Sequence, residues 1–119
     1  MTEMAEGIAK TYGGSATIEW QNNTTITFND LGLTAQMLPT LQGIAGKDHV
    51  KLVKATTGGE DFSFFQEKVP GFYFFLGGMT PGNTTPYPHH TPDFVIDDSG
   101  LELGVKSMSQ LAIDYLNAQ

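Results

Sequence analysis

Two short stretches hold the residues whose types and spacing could do chemistry. One is His89-His90, at the end of a Pro-rich run and followed by Thr91-Pro92-Asp93-Phe94. An imidazole there could bind a divalent metal through one nitrogen while a carboxylate or carbonyl holds the other. Adjacent side chains in an extended segment point in different directions, so at most one of the pair serves a given ion. The alternatives are a solvated loop pair, or a protein in which both rings share an adventitious metal. The other stretch is Gly58-Gly59-Glu60-Asp61-Phe62-Ser63-Phe64-Phe65, with two glycines and two acids ahead of a short apolar helix. Such glycines permit a sharp turn or a close approach to a ligand, and acids suit a helix N-terminus. The plainer reading makes Asp61 an N-cap and Glu60 a solvated first-turn charge. His49, at an element boundary with no partner pattern, reads as surface.

Other chemistries find little support. Cysteine is absent, which excludes disulfides, thiolate ligands and a cysteine nucleophile. No phosphate-binding glycine loop with a following Lys, helix-borne His pair or nucleophile-elbow serine occurs. A formal net charge of −7 with only six basic residues argues against a nucleic-acid partner. The sequence has no signal-peptide apolar region and no run long enough to span a bilayer, so no membrane partner is expected and the cytoplasm is the expected location.

The elements that must position these residues follow from periodicity. Met4, Ala5, Ile8, Ala9 and Tyr12 have helical spacing, stopped by Gly13-Gly14. Residues 15–20 and 24–28 are β-branched or aromatic and predict one interrupted strand or two. Leu33, Met37, Leu38, Leu41 and Ile44 predict a helix opened by Asn29-Asp30 and ended near Gly46, with Pro39 predicting a kink or a fresh start. Further strands are expected over 50–55 and 72–76, and a long loop over 77–92. Ser99-Gly100-Leu101-Glu102 has capping-box spacing, and Leu101, Val105, Met108, Leu111, Ala112 and Tyr115 predict a final amphipathic helix docked by that face. The alternation of elements predicts an α/β architecture.

GGEDFSFFQEKVPGFYFFLG, a Pro/Gly loop and HHTPDFVIDDSGLELGVKSM, in that order and spacing, resemble the metal-dependent amidohydrolases typified by hippurate hydrolase, N-acyl-amino-acid amidohydrolases and auxin-conjugate hydrolases. These are similar in fold to aminoacylase and zinc carboxypeptidases. The resemblance implies that residues 1–28 are the last helix and strand of a lid domain and that 29–119 are the C-terminal part of a two-metal catalytic domain. It places the family's last metal ligand on His90, makes His89 a neighbour behind it, and makes Gly58, Gly59, Glu60 and Asp61 lining residues of the site. No catalytic residue is carried over, because the general base and the remaining ligands would lie before Met1. The parent is thus expected to be a divalent-metal hydrolase, zinc- or manganese-dependent, cleaving N-acyl amino acids or peptides. The chain alone is expected to be inactive and prone to self-association. The alternative is a free-standing α/β binding or interaction domain derived from the same fold.

Overall fold

In the computed structural model, residues 1–21 and 23–119 are described. Helix α1 (Thr2–Thr11) ends where the Gly13 and Gly14 amides bond back to the carbonyls of Lys10 and Ala9. It carries no buried residue, and its link to the segment that follows is a bond from the Trp20 indole to the Thr2 hydroxyl, 3.1 Å.

Helix α2 (Leu31–Ala45) starts on Asp30, whose carboxylate accepts the Leu33 N–H at 2.8 Å, as an N-cap should. Gly46, at φ 86°, ends it in a conformation that favours glycine. Pro39 lies inside this one helix, so the expected fresh start does not occur. A five-residue helix, α3 (Phe62–Gln66), follows, and α4 (Leu101–Asn117) closes the chain after a 3-10 turn over Asp98–Gly100.

The core lies where α2 meets α4. Met37 and Leu41, 5% and 6% exposed, are the buried apolar side chains among the described residues. Asp114 of α4 accepts hydrogen bonds from the Thr40 hydroxyl across the interface, 2.5 Å, and from the Gln110 amide, 2.7 Å. These two donors hold its carboxyl below the usual carboxylate range. The covered side of α4 runs through Gly104, Ser107, Leu111 and Asp114. Of the apolar face expected to dock, only Leu111 shares in it, whereas Val105 is 69% exposed and Met108 62%. The reason is the closeness of approach: a Cβ on Gly104 would come within 2.9 Å of the Leu76 side chain, so small residues define the contact. The expected capping box is also replaced. Asp97 accepts both the Ser99 N–H at 3.1 Å and the Ser99 hydroxyl at 2.7 Å, because a carboxylate is the stronger acceptor.

The expected strands do not form among the described residues, and the α/β pattern is therefore not realised within this chain. A strand exists only where a neighbour completes its ladder, and residues 50–55 carry no regular structure and are almost wholly exposed. Residues 24–30 and 60–73 are joined by one backbone bond, from the Asp30 N–H to the Gly71 carbonyl at 3.0 Å, and otherwise by side chains. The Asn29 amide makes a two-point bond to the Tyr73 backbone, 2.7 Å at each atom, and the Gln66 amide does the same to Phe28 at 3.0 and 2.9 Å. Each carboxamide supplies one donor and one acceptor, as a strand neighbour would.

The molecule is thin and open. Its radius of gyration is 20.4 Å, against ~13.5 Å for a compact chain of this length. Its accessible surface is 10004 Å², against ~6,300 Å² for a compact monomer of this mass. An apolar groove of about 500 Å³ lies between α2, α4 and residues 72–77, walled by Leu38, Leu41, Phe72, Phe74, Leu76 and Leu103. No helix among the described residues is long and apolar enough to cross a membrane.

Candidate functional site

The first site region is built on the turn Gly58–Asp61 leading into α3. Glu60 spends both carboxylate oxygens locally. One accepts the Phe62 N–H at 3.1 Å, and the other accepts the Tyr73 hydroxyl at 2.9 Å. The Phe62 amide first, then the Tyr73 hydroxyl, hold its carboxyl below the usual range. The same bond to Glu60 pushes the Tyr73 phenol up. The expected roles are thereby exchanged: Asp61 occupies the N-cap position of α3 without a side-chain bond, and Glu60 satisfies the helix N-terminus. Gly59 lies against Thr24, where a Cβ would sit 3.2 Å from its hydroxyl, while Gly58 has open space around it.

Beneath Glu60 lies Ser63, fully buried. Its hydroxyl donates to the Glu60 carbonyl at 2.7 Å and accepts the Thr25 N–H at 3.1 Å. Sequence reasoning missed Ser63, Tyr73, Asn29 and Gln66, because their partners lie 38 or 44 residues away, or 13 in the case of Tyr73, and no local spacing announces such pairs.

The second region is the loop that was expected over 77–92 and is present, all coil and turns. His89 and His90 are both exposed at its end. The His89 ring packs on the Phe94 ring with centroids 4.6 Å apart, and the two imidazoles stand 6.4 Å apart at 68°. His90 has φ 65°, the one non-glycine with positive φ among the described residues. The Thr91 hydroxyl donates to the Pro88 carbonyl at 2.8 Å, and the Phe94 N–H to the Thr91 carbonyl at 3.1 Å.

Glu60 and Asp61 are not assembled with the histidines into an ion site. Among the described residues, no three His, Cys, Asp or Glu groups are placed to hold a metal. His90, exposed and in a left-handed turn, fits one ligand of a larger set but does not by itself build a metal centre.

The chain belongs to peptidase family M20/M25/M40, whose pattern it matches over residues 2–114. Members of that family are generally dependent on divalent metals. The chain is 31% identical over 118 residues to thermostable carboxypeptidase 2 of Saccharolobus solfataricus and 33% identical over 118 to N-acetylcysteine deacetylase of Bacillus subtilis. Each alignment covers 98% of this chain and 29% of the relative. It is also 31% identical over 74 residues to the IAA-amino acid hydrolase ILR1-like 6 of Arabidopsis thaliana, covering 62% of this chain and 16% of that protein. The chain thus spans less than a third of the length of the curated relatives it matches. No solved structure matches it.

Proposed function

We propose that this chain is the C-terminal part of the catalytic domain of a metal-dependent hydrolase that cleaves the amide bond of N-acyl amino acids or peptides. Residues 1–28 belong to the end of its lid, and 29–119 return to the catalytic domain. His90 supplies one metal ligand, and the turn from Gly58 to Asp61 forms a wall behind the site. The metal, zinc or manganese, is held jointly with ligands outside this chain, and the general base is also outside it. The observation that carries this reading is the family match over residues 2–114 in a chain that has no complete ion site among its described residues.

The surface supports it. About 3,700 Å² beyond what a compact monomer of this mass would expose lies open. That is the area of a large permanent interface. The remaining catalytic domain covers this surface in the complete protein, and copies of the isolated chain associate through it.

The test is an amidase assay with added zinc, manganese or cobalt on this chain and on a protein extended upstream. Turnover by the extended protein, abolished by a chelator and restored by metal, with none by the 119-residue chain, is the expected outcome. Metal-dependent turnover by the chain alone would overturn the reading.

A further inference from the structure

We infer that His89 and Phe94 are positioning residues: their contacting rings close a seven-residue turn that forces His90 into its left-handed backbone conformation and so sets the orientation of its imidazole. This rests on the reading of His90 as a ligand.

A left-handed backbone is unusual for any residue with a side chain, although histidine is among those that tolerate it best. It persists only where the surroundings over-determine it. Here they do so from both sides. Ahead of His90, the His89 ring is held 4.6 Å from the Phe94 ring. Behind it, the Thr91 hydroxyl reaches back to the Pro88 carbonyl at 2.8 Å, and the Phe94 N–H reaches the Thr91 carbonyl at 3.1 Å. The chain between Pro88 and Phe94 is therefore tied at three points, and the single residue left to absorb the reversal is His90, at φ 65°. The reversal also divides the two imidazoles. At 6.4 Å and 68°, they do not stack, and only His89 lies against Phe94. His89 thus contributes an aromatic face and not a nitrogen. That division of labour explains how two adjacent histidines of like chemistry serve different ends. A ligand whose orientation is fixed before the ion arrives loses less freedom on binding it, so the ring contact should strengthen metal retention without touching the metal.

The test uses the 119-residue chain for the turn and the upstream-extended protein for the metal. In the chain, NMR should show a strong intraresidue amide-to-α-proton contact at His90 and ring-current-shifted His89 protons. Both should be lost in His89→Ala and in Phe94→Ala and kept in His89→Tyr, which preserves the aromatic face. In the extended protein, His89→Ala should weaken retained metal about 10–100-fold, and His89→Tyr should restore it. A His90 contact that survives both alanine substitutions would overturn the proposal. So would a metal loss in His89→Ala that tyrosine fails to rescue, because His89 would then be acting through its nitrogen. If His90→Ala leaves the metal content unchanged, the ligand reading fails on its own, and the NMR result still decides the turn.

Discussion

The cluster around Glu60 and the turn around His90 are held by different means. Around Glu60, hydrogen bonds reach across 38 to 44 residues of sequence, from Thr25 to Ser63, Phe28 to Gln66 and Asn29 to Tyr73, and the central hydroxyl is fully buried. Around His90, every tie lies within seven residues, and both imidazoles are exposed. A long-range buried network reports on the fold, because losing it separates segments. A short exposed turn contributes little to the fold, and its one unusual backbone angle is set by its own local ties. The two stretches that looked equally chemical in sequence thus differ in their ties, one bound into the fold over long range and the other a short exposed turn.

The sharpest way to break this comparison is His90→Ala in an upstream-extended protein. We expect loss of most metal-dependent turnover and of bound metal, with a melting temperature nearly unchanged, since exposed substitutions usually shift stability by less than about 0.5 kcal/mol. A large fall in melting temperature would mean that the turn is structural after all. The counterpart, Ser63→Ala, leaves the Thr25 N–H without its acceptor and the Glu60 carbonyl with only the longer bond from the residue-63 N–H, 3.3 Å, and should cost about 1–3 kcal/mol in denaturant unfolding. A value near zero would show that the cluster does not join the two segments.

Gly71→Ala should give a smaller loss of about 1 kcal/mol. Its Cβ would sit 2.5 Å from Gln66 Cγ and displace the amide that is bonded to Phe28. Combining it with Gln66→Ala should abolish the added cost. If the double variant loses the sum of both, the glycine acts elsewhere.

The smallest expected effect is the response to acid and base. Glu60, Asp97 and Asp114 all have folded pKa values below their ordinary 4.5, 3.8 and 3.8. Each therefore contributes stability above its unfolded pKa that is lost as pH falls through its folded one. Tyr73, raised above 10.0, contributes below that value and loses its contribution as pH rises through its folded pKa. A shallow stability plateau between these limits is expected, and Glu60→Gln should flatten part of the acid slope and part of the alkaline one. An unchanged pair of slopes would remove Glu60 and Tyr73 as the linked pair.

The helices at 2–11, 31–45 and 101–117 are legible in the residues that form them, since each carries its own periodicity and its own stop or start residues. So are the long loop and the resemblance that the family match then bore out. Local bonds decide such features, and local bonds are written in neighbouring residues. Only the tertiary structure decided which face of α4 is covered, that Glu60 rather than Asp61 satisfies α3, and that Asn29 and Gln66 stand in for missing strand neighbours. Those outcomes depend on groups brought together from distant positions. The strand-like runs at 50–55 and 72–76 stay without ladders for the same reason, because alternation specifies a face to be covered but cannot supply the partner that covers it.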